Sequence, residues 1–346
     1  MGFKNKNILI TGAAGTIGQE LIRQLLGFEV REIKAFDNNE SDLFYLNETY
    51  RNDKRVNGFF GDIRDLNRLT FLCKDVDIIL HTAAMKHVGI SEVSPLDAVK
   101  TNVVGTSNVI EAALSSEKVS QLIYTSSDKA VNSTNVMGTT KLLGERLISS
   151  ALNIKTSRKI IFSCTRFGNV IGSKGSVVPV FYKQIRDNSC ITLTDKNMTR
   201  FVMTIPEAAG FLLNTADLAK GGEVFVTKMR VMRIVDLANA MIDIIAPLFG
   251  KKKEDIKIEL IGKKPGEKLF EELMTDDETK RAIELPDMFL IKPAFPSIYG
   301  EIDYESDHSS EVREVRNPYI SSNESPMTVD EIKNYLLQNK IIERQY

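Results

Sequence analysis

Short apolar runs alternate with longer amphipathic stretches through the first half of the chain. The short runs are almost continuously apolar, which is typical of parallel strands covered by helices on both faces. The predicted strands are residues 7–11, 33–37, 77–81, 121–126 and 159–166. The predicted helices are residues 15–26, 65–73, 95–114 and 136–152. This alternation predicts an α/β fold with a doubly wound parallel sheet of the Rossmann type.

The pattern changes after about residue 170, where glycine and proline interrupt it. Two further helices are predicted, over residues 206–220 and 234–249. We therefore expect a nucleotide-binding domain over residues 1–170, to which some later segments return, and a smaller mixed α/β substrate domain over residues 171–346. The polar segment 304–325 is expected to be either an ordered arm over the site or a mobile tail.

Composition and charge narrow the function classes. Of the 346 residues, 42% are hydrophobic and 26% are charged, which is enough apolar material for a folded core. The chain has 45 Lys and Arg against 46 Asp and Glu, so it offers no basic surface for nucleic acid or an anionic membrane. No apolar run reaches the roughly 18 residues of a membrane span. We therefore expect a soluble cytoplasmic enzyme that binds neither nucleic acid nor membrane.

Cysteines and histidines are few. The three cysteines and three histidines have a number and spacing that suit neither a disulfide framework nor a zinc or multi-histidine metal site. No metal cofactor is therefore expected. His81 and His87 are expected to pack or form hydrogen bonds rather than to take part in chemistry.

A glycine-rich loop follows directly on the first predicted strand. Gly12, Gly15 and Gly18 are spaced as G-x-x-G-x-x-G, a variant of the dinucleotide fingerprint that allows a tight turn, close approach to a pyrophosphate and close helix packing. Asp37 ends the second predicted strand, where a carboxylate hydrogen-bonds the ribose diol and repels a 2′-phosphate. Asp62 ends a further strand and is a candidate for the adenine amino group. The sequence therefore predicts a dinucleotide site that favours NAD over NADP, against the alternative of an ordinary glycine turn.

A second group of motifs lies near the middle of the chain. Ser127, Asp128 and Lys129 follow the fourth predicted strand, and Met137 precedes Lys141 by four residues, a spacing that puts both side chains on one helix face. With these motifs the chain resembles the extended short-chain dehydrogenase/reductases and, within them, the UDP-N-acetylglucosamine 4,6-dehydratases of polysaccharide and nonulosonic-acid (pseudaminic acid) biosynthesis. The resemblance covers nearly the whole chain. It rests on TGAAGTIG at 11–18, HTAAMKHV at 81–88, KTNVVGT at 100–106, SSDKA at 126–130, RFGNVIGSKGSVVP at 166–179, LTDKNMTRFVMTI at 193–205 and KKPGEKLFEEL at 263–273.

The resemblance implies a reaction. Hydride passes from C4 of the sugar to the nicotinamide, the C4 ketone acidifies the C5 hydrogen, water leaves from C6 and hydride returns to C6, so a tightly bound NAD or NADP is regenerated in each turnover. It assigns Asp128 as the acid at C6, Lys129 as the base at C5 and Ser127 as the hydrogen-bond partner of the C4 oxygen. Lys141 is assigned to the nicotinamide ribose. Because a lysine with a pKa of about 10.4 is a poor base, we expect Lys141, the nicotinamide charge and burial to depress the pKa of Lys129.

Met137 departs from the superfamily pattern, which has tyrosine at this position. Methionine cannot accept a proton, so the acceptor for the C4 hydroxyl proton is left open among Asp128, Lys129 and a relay through Ser127 and the ribose. The product is open between a 4-keto-6-deoxy and a 5,6-ene UDP-sugar. Two other functions remain as alternatives, a nucleotide-sugar 4- or 5-epimerase of the same superfamily and a non-catalytic NAD(P)-binding sensor.

The resemblance also assigns binding residues by position. The cofactor residues are Gly12, Gly15, Thr16, Ile17, Gly18, Asp37, Asp62, Ile63, Ala83, Ala84, Lys86, Asn102, Lys141 and Phe167. The substrate residues are Lys86, Asn169, Ser176, Val177, Val178, Thr194, Arg200, Lys264 and Glu267. Arg200 is the main candidate for the pyrophosphate because a planar guanidinium matches phosphate geometry. The expected partner is a UDP-sugar, and a homo-oligomer is expected with the helices over 95–114 and 136–152 at the subunit face.

Overall fold

The strands of the computed structural model agree closely with the pattern of apolar runs. The model describes residues 2–154, 158–263, 266–295, 302–304 and 313–343. In chain order the strands are β1 (Asn7–Thr11), β2 (Glu32–Asp37), β3 (Val56–Phe60), β4 (Ile78–His81), β5 (Gln121–Ser127), β6 (Ile161–Phe167), β7 (Asn169–Val170), β8 (Cys190–Leu193), β9 (Thr199–Met203), β10 (Val224–Thr227), β11 (Arg230–Arg233), β12 (Lys257–Leu260), β13 (Ala282–Glu284), β14 (Met288–Ile291) and β15 (Arg313–Glu314).

The helices fill the intervals between these strands. In chain order they are α1 (Thr16–Leu25), α2 (Glu40–Thr49), α3 (Leu66–Cys73), α4 (Val88–Val93), α5 (Pro95–Val99), α6 (Thr106–Ser115), α7 (Val136–Ala151), α8 (Val177–Lys183), α9 (Ile205–Leu218), α10 (Ile234–Ile245), α11 (Asp276–Thr279) and α12 (Val329–Gln338). Segments Lys100–Gly105 and Gln184–Asn188 are π-helical, and short 3₁₀ turns cover Asp128–Ala130, Ala246–Phe249 and Lys253–Asp255.

Ten strands form one sheet in the order β15-β13-β14-β10-β6-β5-β4-β1-β2-β3. The seven strands from β10 to β3 are mutually parallel, and β14, β13 and β15 extend the sheet antiparallel at one edge. The predicted α/β fold with a Rossmann-type sheet is thus confirmed. The strand order reverses between β1 and β4, and in open sheets of this kind the crevice at the carboxyl ends of such strands holds the ligand.

Two hydrophobic layers cover the sheet and a third core builds a smaller lobe. One face packs against α1 and α9 and the other against α3, α6 and α7. The third core lies among α8, α10, α12 and strands β8 and β9. Strands β10 and β13–β15 belong to the large sheet, and α9 packs against it. The division into a nucleotide-binding and a substrate domain stays a prediction.

Most predicted elements lie within two residues of the observed ones, and the exceptions have physical causes. The apolar pattern gave no signal for α2 because Phe44 and Tyr45 are 58% and 68% exposed there, so its hydrophobic residues do not form one buried stripe. The single helix expected over 95–114 is α5, the π-helical segment and α6 in succession. Within segment 304–325, residues 305–312 lie outside the described residues, whereas Arg313–Glu314 form β15 and Ile320 pairs with Glu272.

Candidate active site

A cavity of about 970 Å³ lies at the carboxyl ends of the parallel strands and brings most of the predicted site together. The predicted residues that line it are Gly12, Gly15, Thr16, Ile17, Asp37, Asp62, Ile63, Ala83, Ala84, Lys86, Ser127, Lys129, Met137, Lys141, Phe167, Asn169, Ser176, Val177 and Arg200. Six others are described by the structure but lie outside this lining: Gly18, Asn102, Asp128, Val178, Thr194 and Glu267. Lys264 lies outside the described residues.

The glycine loop between β1 and α1 has no room for side chains at two of its glycines. Gly12 has a φ of +72°, and a Cβ there would lie 2.7 Å from the backbone nitrogen of Ala83. Gly18 packs directly against the loop and does not line the cavity. A Cβ on Gly18 would overlap the carbonyl oxygen of Gly12, so only glycine fits there. Helix α1 begins at Thr16 beside the cavity, so its first N–H groups have no intrahelical acceptors. These residues fit the pyrophosphate of a dinucleotide.

Asp37 and Asp62 line the cavity, and their carboxylates already accept hydrogen bonds from other residues of the protein. Asp37 accepts hydrogen bonds from the backbone nitrogens of Ala14 and Asn39, both at 2.9 Å. Asp62 accepts from Arg64, and this contact lowers the pKa of Asp62. Because a carboxylate offers about four lone-pair positions, Asp37 retains acceptor capacity for ribose hydroxyls.

Ser127, Asp128 and Lys129 form a compact polar cluster where β5 ends in a 3₁₀ turn. The Ser127 hydroxyl donates to Asp128 Oδ1 at 2.6 Å, and Lys129 Nζ lies 2.9 and 3.1 Å from the two oxygens of Asp128. Lys129 Nζ also donates to Asn169 Oδ1 at 3.3 Å, which joins β5 to β7. Asp128 is fully buried, so it reaches the cavity only through its neighbours.

The pKa of Lys129 does not follow the expectation. Burial alone lowers the pKa of Lys129, but the charges of Asp128 and Glu271 outweigh burial, and the net pKa is raised. The prediction of a depressed pKa is therefore wrong for the protein by itself. The prediction counted burial and the cations but not the carboxylates, of which Asp128 is adjacent and Glu271 is distant in the sequence.

Helix α7 presents Met137 and Lys141 to the cavity, as their spacing predicts. The helix begins at Val136, where the Asn135 side chain accepts from the backbone nitrogen of Gly138 at 2.8 Å. Lys141 Nζ lies 4.1 Å from the centre of the Tyr124 ring. Burial lowers the pKa of Lys141 to about 8.

The depressed pKa of Lys141 predicts a pH-dependent stability. An ammonium whose pKa falls from 10.5 unfolded to about 8 folded destabilises the native state fully below pH 8, and the penalty fades as the pH rises to 10.5. Lys141→Met should therefore be more stable than the wild type at pH 7 by about 3 kcal/mol. Urea unfolding at pH 7 and 10 measures the difference, with the exposed Lys280→Met as the control. An equal difference at both pH values would refute this origin.

Arg200 lines the cavity, but its guanidinium already contacts acceptors within the protein. It donates to the carbonyl oxygens of Thr199 at 2.8 Å and Lys268 at 2.9 Å, and its Nε lies 3.4 Å from Glu271 Oε1. A pyrophosphate would have to compete with these acceptors. Glu267 Oε1 lies 3.9 Å from Arg200, at the edge of ion-pair distance.

Other predicted residues lie outside the cavity lining and support the site through hydrogen bonds or packing. Asn102 accepts from the backbone nitrogen of Met85 and donates to its carbonyl oxygen, so it holds the turn that contains Ala83 and Ala84. His81 forms hydrogen bonds with Thr11 at 2.6 Å and Thr106 at 3.1 Å. Burial and then Lys141 lower the pKa of His81 to about 3, so its ring stays neutral. Val178 is buried in the core of the smaller lobe, and Thr194 is half-buried beside Met198.

The sequence alone missed two groups of functional interest. Glu271 lies within the quoted segment 263–273, but three glutamates occur there and no spacing distinguishes them. Arg166 is fully buried in β6 and donates to Glu145 of α7 and to Glu278 of α11, with distances of 2.7 to 3.0 Å. This triad fixes α7, and with it Lys141, against β6.

Comparison with known proteins places the chain in a family. A profile of the polysaccharide biosynthesis protein family matches residues 8–293. The chain belongs to this family of extended short-chain dehydrogenase/reductases. The crystal structure of Pen from Bacillus thuringiensis is 41% identical and superposes with a TM-score of 0.90 over 99% of both chains.

Three relatives show the range of the family. An uncharacterized membrane protein of Methanocaldococcus jannaschii is 48% identical over 84% of this chain and 87% of its own. An inverting UDP-N-acetylglucosamine 4,6-dehydratase of Campylobacter jejuni is 35% identical over 95% of this chain and 96% of its own. A UDP-glucose 4-epimerase of Rickettsia bellii is 32% identical over 99% and 98%. In the described part of this chain, none of the helices combines the length and apolar character needed to cross a bilayer.

Proposed function

We propose that the chain catalyses the NAD(P)-dependent 4,6-dehydration of UDP-N-acetylglucosamine to a 4-keto-6-deoxy or 5,6-ene UDP-sugar for surface-glycan or nonulosonic-acid biosynthesis. The observation that carries the proposal is that Ser127 and Lys129, which both bind the buried Asp128, line the same cavity as Met137 and Lys141. Removing water from a sugar needs an acid and a base at neighbouring carbons. Asp128 and Lys129 supply these groups within 3.1 Å of each other.

Different residues of the chain carry out the separate steps of the proposed reaction. Lys129 lies at the cavity surface and takes the C5 proton. Asp128 is a carboxylate while it accepts from Ser127 and Lys129, so it first takes up a proton, which balances the one that the C4 hydroxyl releases. It then delivers this proton to the C6 oxygen through the Ser127 hydroxyl, which lines the cavity. Lys141, from the next helix, holds the cofactor ribose. When bound, the dinucleotide supplies the hydride acceptor and donor of the reaction.

NAD is proposed as the preferred dinucleotide. The glycine loop would hold its pyrophosphate, Asp37 its adenosine ribose and Phe167 the nicotinamide end of the cavity. A 2′-phosphate would meet the negative charge of Asp37. Tighter binding of NADP than of NAD in calorimetric titration would contradict this preference.

An epimerase is the second candidate function, because the Rickettsia relative is a UDP-glucose 4-epimerase. Incubation of the purified chain with UDP-N-acetylglucosamine separates the two by mass spectrometry and NMR. We expect a product lighter by one water, with either a C6 methyl group or a 5,6 double bond. A product of unchanged mass with inverted C4 would identify an epimerase, and unaltered substrate with bound NAD would identify a sensor.

A homo-oligomer is part of the proposal. Large apolar side chains are exposed on the neighbouring helices α4, α5 and α7, namely Val93 at 85%, Leu96 at 72% and Leu143 at 46%. Exposed apolar residues grouped in this way are typical of interaction surfaces. Light scattering that shows a monomer at micromolar concentration would contradict it.

A further inference from the structure

Glu271 is a buried carboxylate beside the proposed base. Its side chain is 3% exposed, and its Oε1 lies 3.7 Å from Lys129 Nζ and 3.4 Å from Arg200 Nε. Its other oxygen, Oε2, is buried and has no hydrogen-bond partner among the described residues. A buried carboxylate oxygen without a donor is unfavourable, and such groups are uncommon in native proteins.

The backbone holds Glu271 in this position. Its N–H donates to the Ser321 hydroxyl at 2.9 Å, and its carbonyl oxygen accepts from the Ser321 nitrogen at 2.8 Å. The next residue, Glu272, pairs with Ile320 across the same two segments. These contacts fix the backbone at Glu271 beside the segment that contains Ser321.

Charges of both signs surround Glu271. Asp128, Lys129, Arg200 and Lys268 face it, from the turn after β5, from β9 and from its own segment. Burial raises the pKa of Glu271, and Asp128 raises it further against the opposing effect of the cations. The oxygens of Asp128 already accept from the Ser127 hydroxyl and from Lys129, so the free acceptor of the cluster is on Glu271.

We propose that Glu271 is a positioning residue that holds Lys129 as an ammonium in the resting protein and takes its proton when Lys129 must act as a base. In this step an N–H bond of Lys129 breaks and an O–H bond forms on Glu271, which leaves a neutral amine. The amine then accepts the C5 proton, one of the equivalent hydrogens on Lys129 Nζ returns to C5, and the Glu271 proton returns to Lys129, so the cluster gains or loses no net proton. The 3.7 Å separation closes to a hydrogen bond with a shift of about 0.5 Å. The inference rests on the proposed function.

The first test needs no substrate. The pH dependence of acetylation of Lys129, measured by mass spectrometry of its peptide, gives the pKa of its amine in the folded protein. Glu271→Gln keeps the shape but removes the charge, so this pKa should fall by about one pH unit or more. Glu272→Gln, one residue along and bound to Asn132 and Lys268, is the matched control and should leave it unchanged. An unchanged pKa in Glu271→Gln would overturn the proposal.

The second test uses UDP-N-acetylglucosamine in D₂O. In D₂O the ammonium of Lys129 carries deuterons, so a hydrogen that returns from Lys129 to C5 introduces deuterium. With internal transfer to Glu271, this exchange should be nearly independent of pH between 6 and 8 in the wild type, since the cluster need not lose a net proton to solvent. In Glu271→Gln, Lys129 must lose its proton to solvent, so exchange should drop about tenfold or more at pH 6 and rise about tenfold per pH unit. Glu271→Asp should restore part of the flat profile. Parallel profiles in wild type and Glu271→Gln would overturn the inference, whereas a wild type that forms no product overturns the proposed function and leaves the acetylation test to decide.

Discussion

Lys129→Ala is expected to reduce dehydration of UDP-N-acetylglucosamine by on the order of 10²-fold or more, because it removes the proposed C5 base. Lys129 lines the cavity, and Asp128 and Asn169 accept hydrogen bonds from its ammonium. Its loss should abolish deuterium exchange at C5 from D₂O. Product formation and C5 exchange are both measured by NMR.

Asp128→Asn tests the partner role in the same cluster. It should slow product formation to a similar extent, but C5 exchange should persist while loss of water from C6 stalls. The exposed Lys280→Ala serves as the control for both variants and should behave as the wild type. Undiminished exchange in Lys129→Ala would show that another residue takes the C5 proton.

Arg166→Met should have the largest effect on stability. It leaves Glu145 and Glu278 buried without their shared cation, and breaking a buried ion pair in this way typically lowers the free energy of unfolding by about 3–5 kcal/mol. Urea unfolding at pH 7 measures the loss. Adding Glu145→Gln and Glu278→Gln to Arg166→Met should recover much of it, since the uncompensated charges are then gone.

The same triad predicts how the loss depends on pH. Burial opposes ionisation of Glu278, but the charge and hydrogen bonds of Arg166 outweigh it and lower the pKa of Glu278 to about 2. A depressed carboxyl pKa stabilises the wild type above pH 4.5, and this stabilisation is lost as the pH falls towards 2. In Arg166→Met burial raises the pKa of the unpaired carboxyls above 4.5, so their protonation on acidification relieves the variant already above that pH. The stability gap should therefore narrow on acidification, and a gap that is constant with pH would contradict the ion-pair origin.

The sequence by itself determined the parts of the molecule that depend on local pattern. Buried parallel strands read as continuous apolar runs, so β1 was predicted residue for residue and the Rossmann-type sheet followed from the alternation. The glycine loop and the spacing of Met137 and Lys141 were equally local, because a tight turn and a helix face are set within a few residues. These elements line the observed cavity.

Only the tertiary structure decided the electrostatics of the site. The ionisation of Lys129 depends on Glu271, and the placement of α7 depends on the contacts of Arg166 with Glu145 and Glu278. These partners come from segments far apart in the chain, and motif spacing carries no information about which of several glutamates is folded inward. Burial also strengthens the effect of a charge, since a carboxylate excluded from water acts on its neighbours much more strongly than an exposed one. The chemistry could therefore be located from the sequence, whereas its proton balance is set by packing.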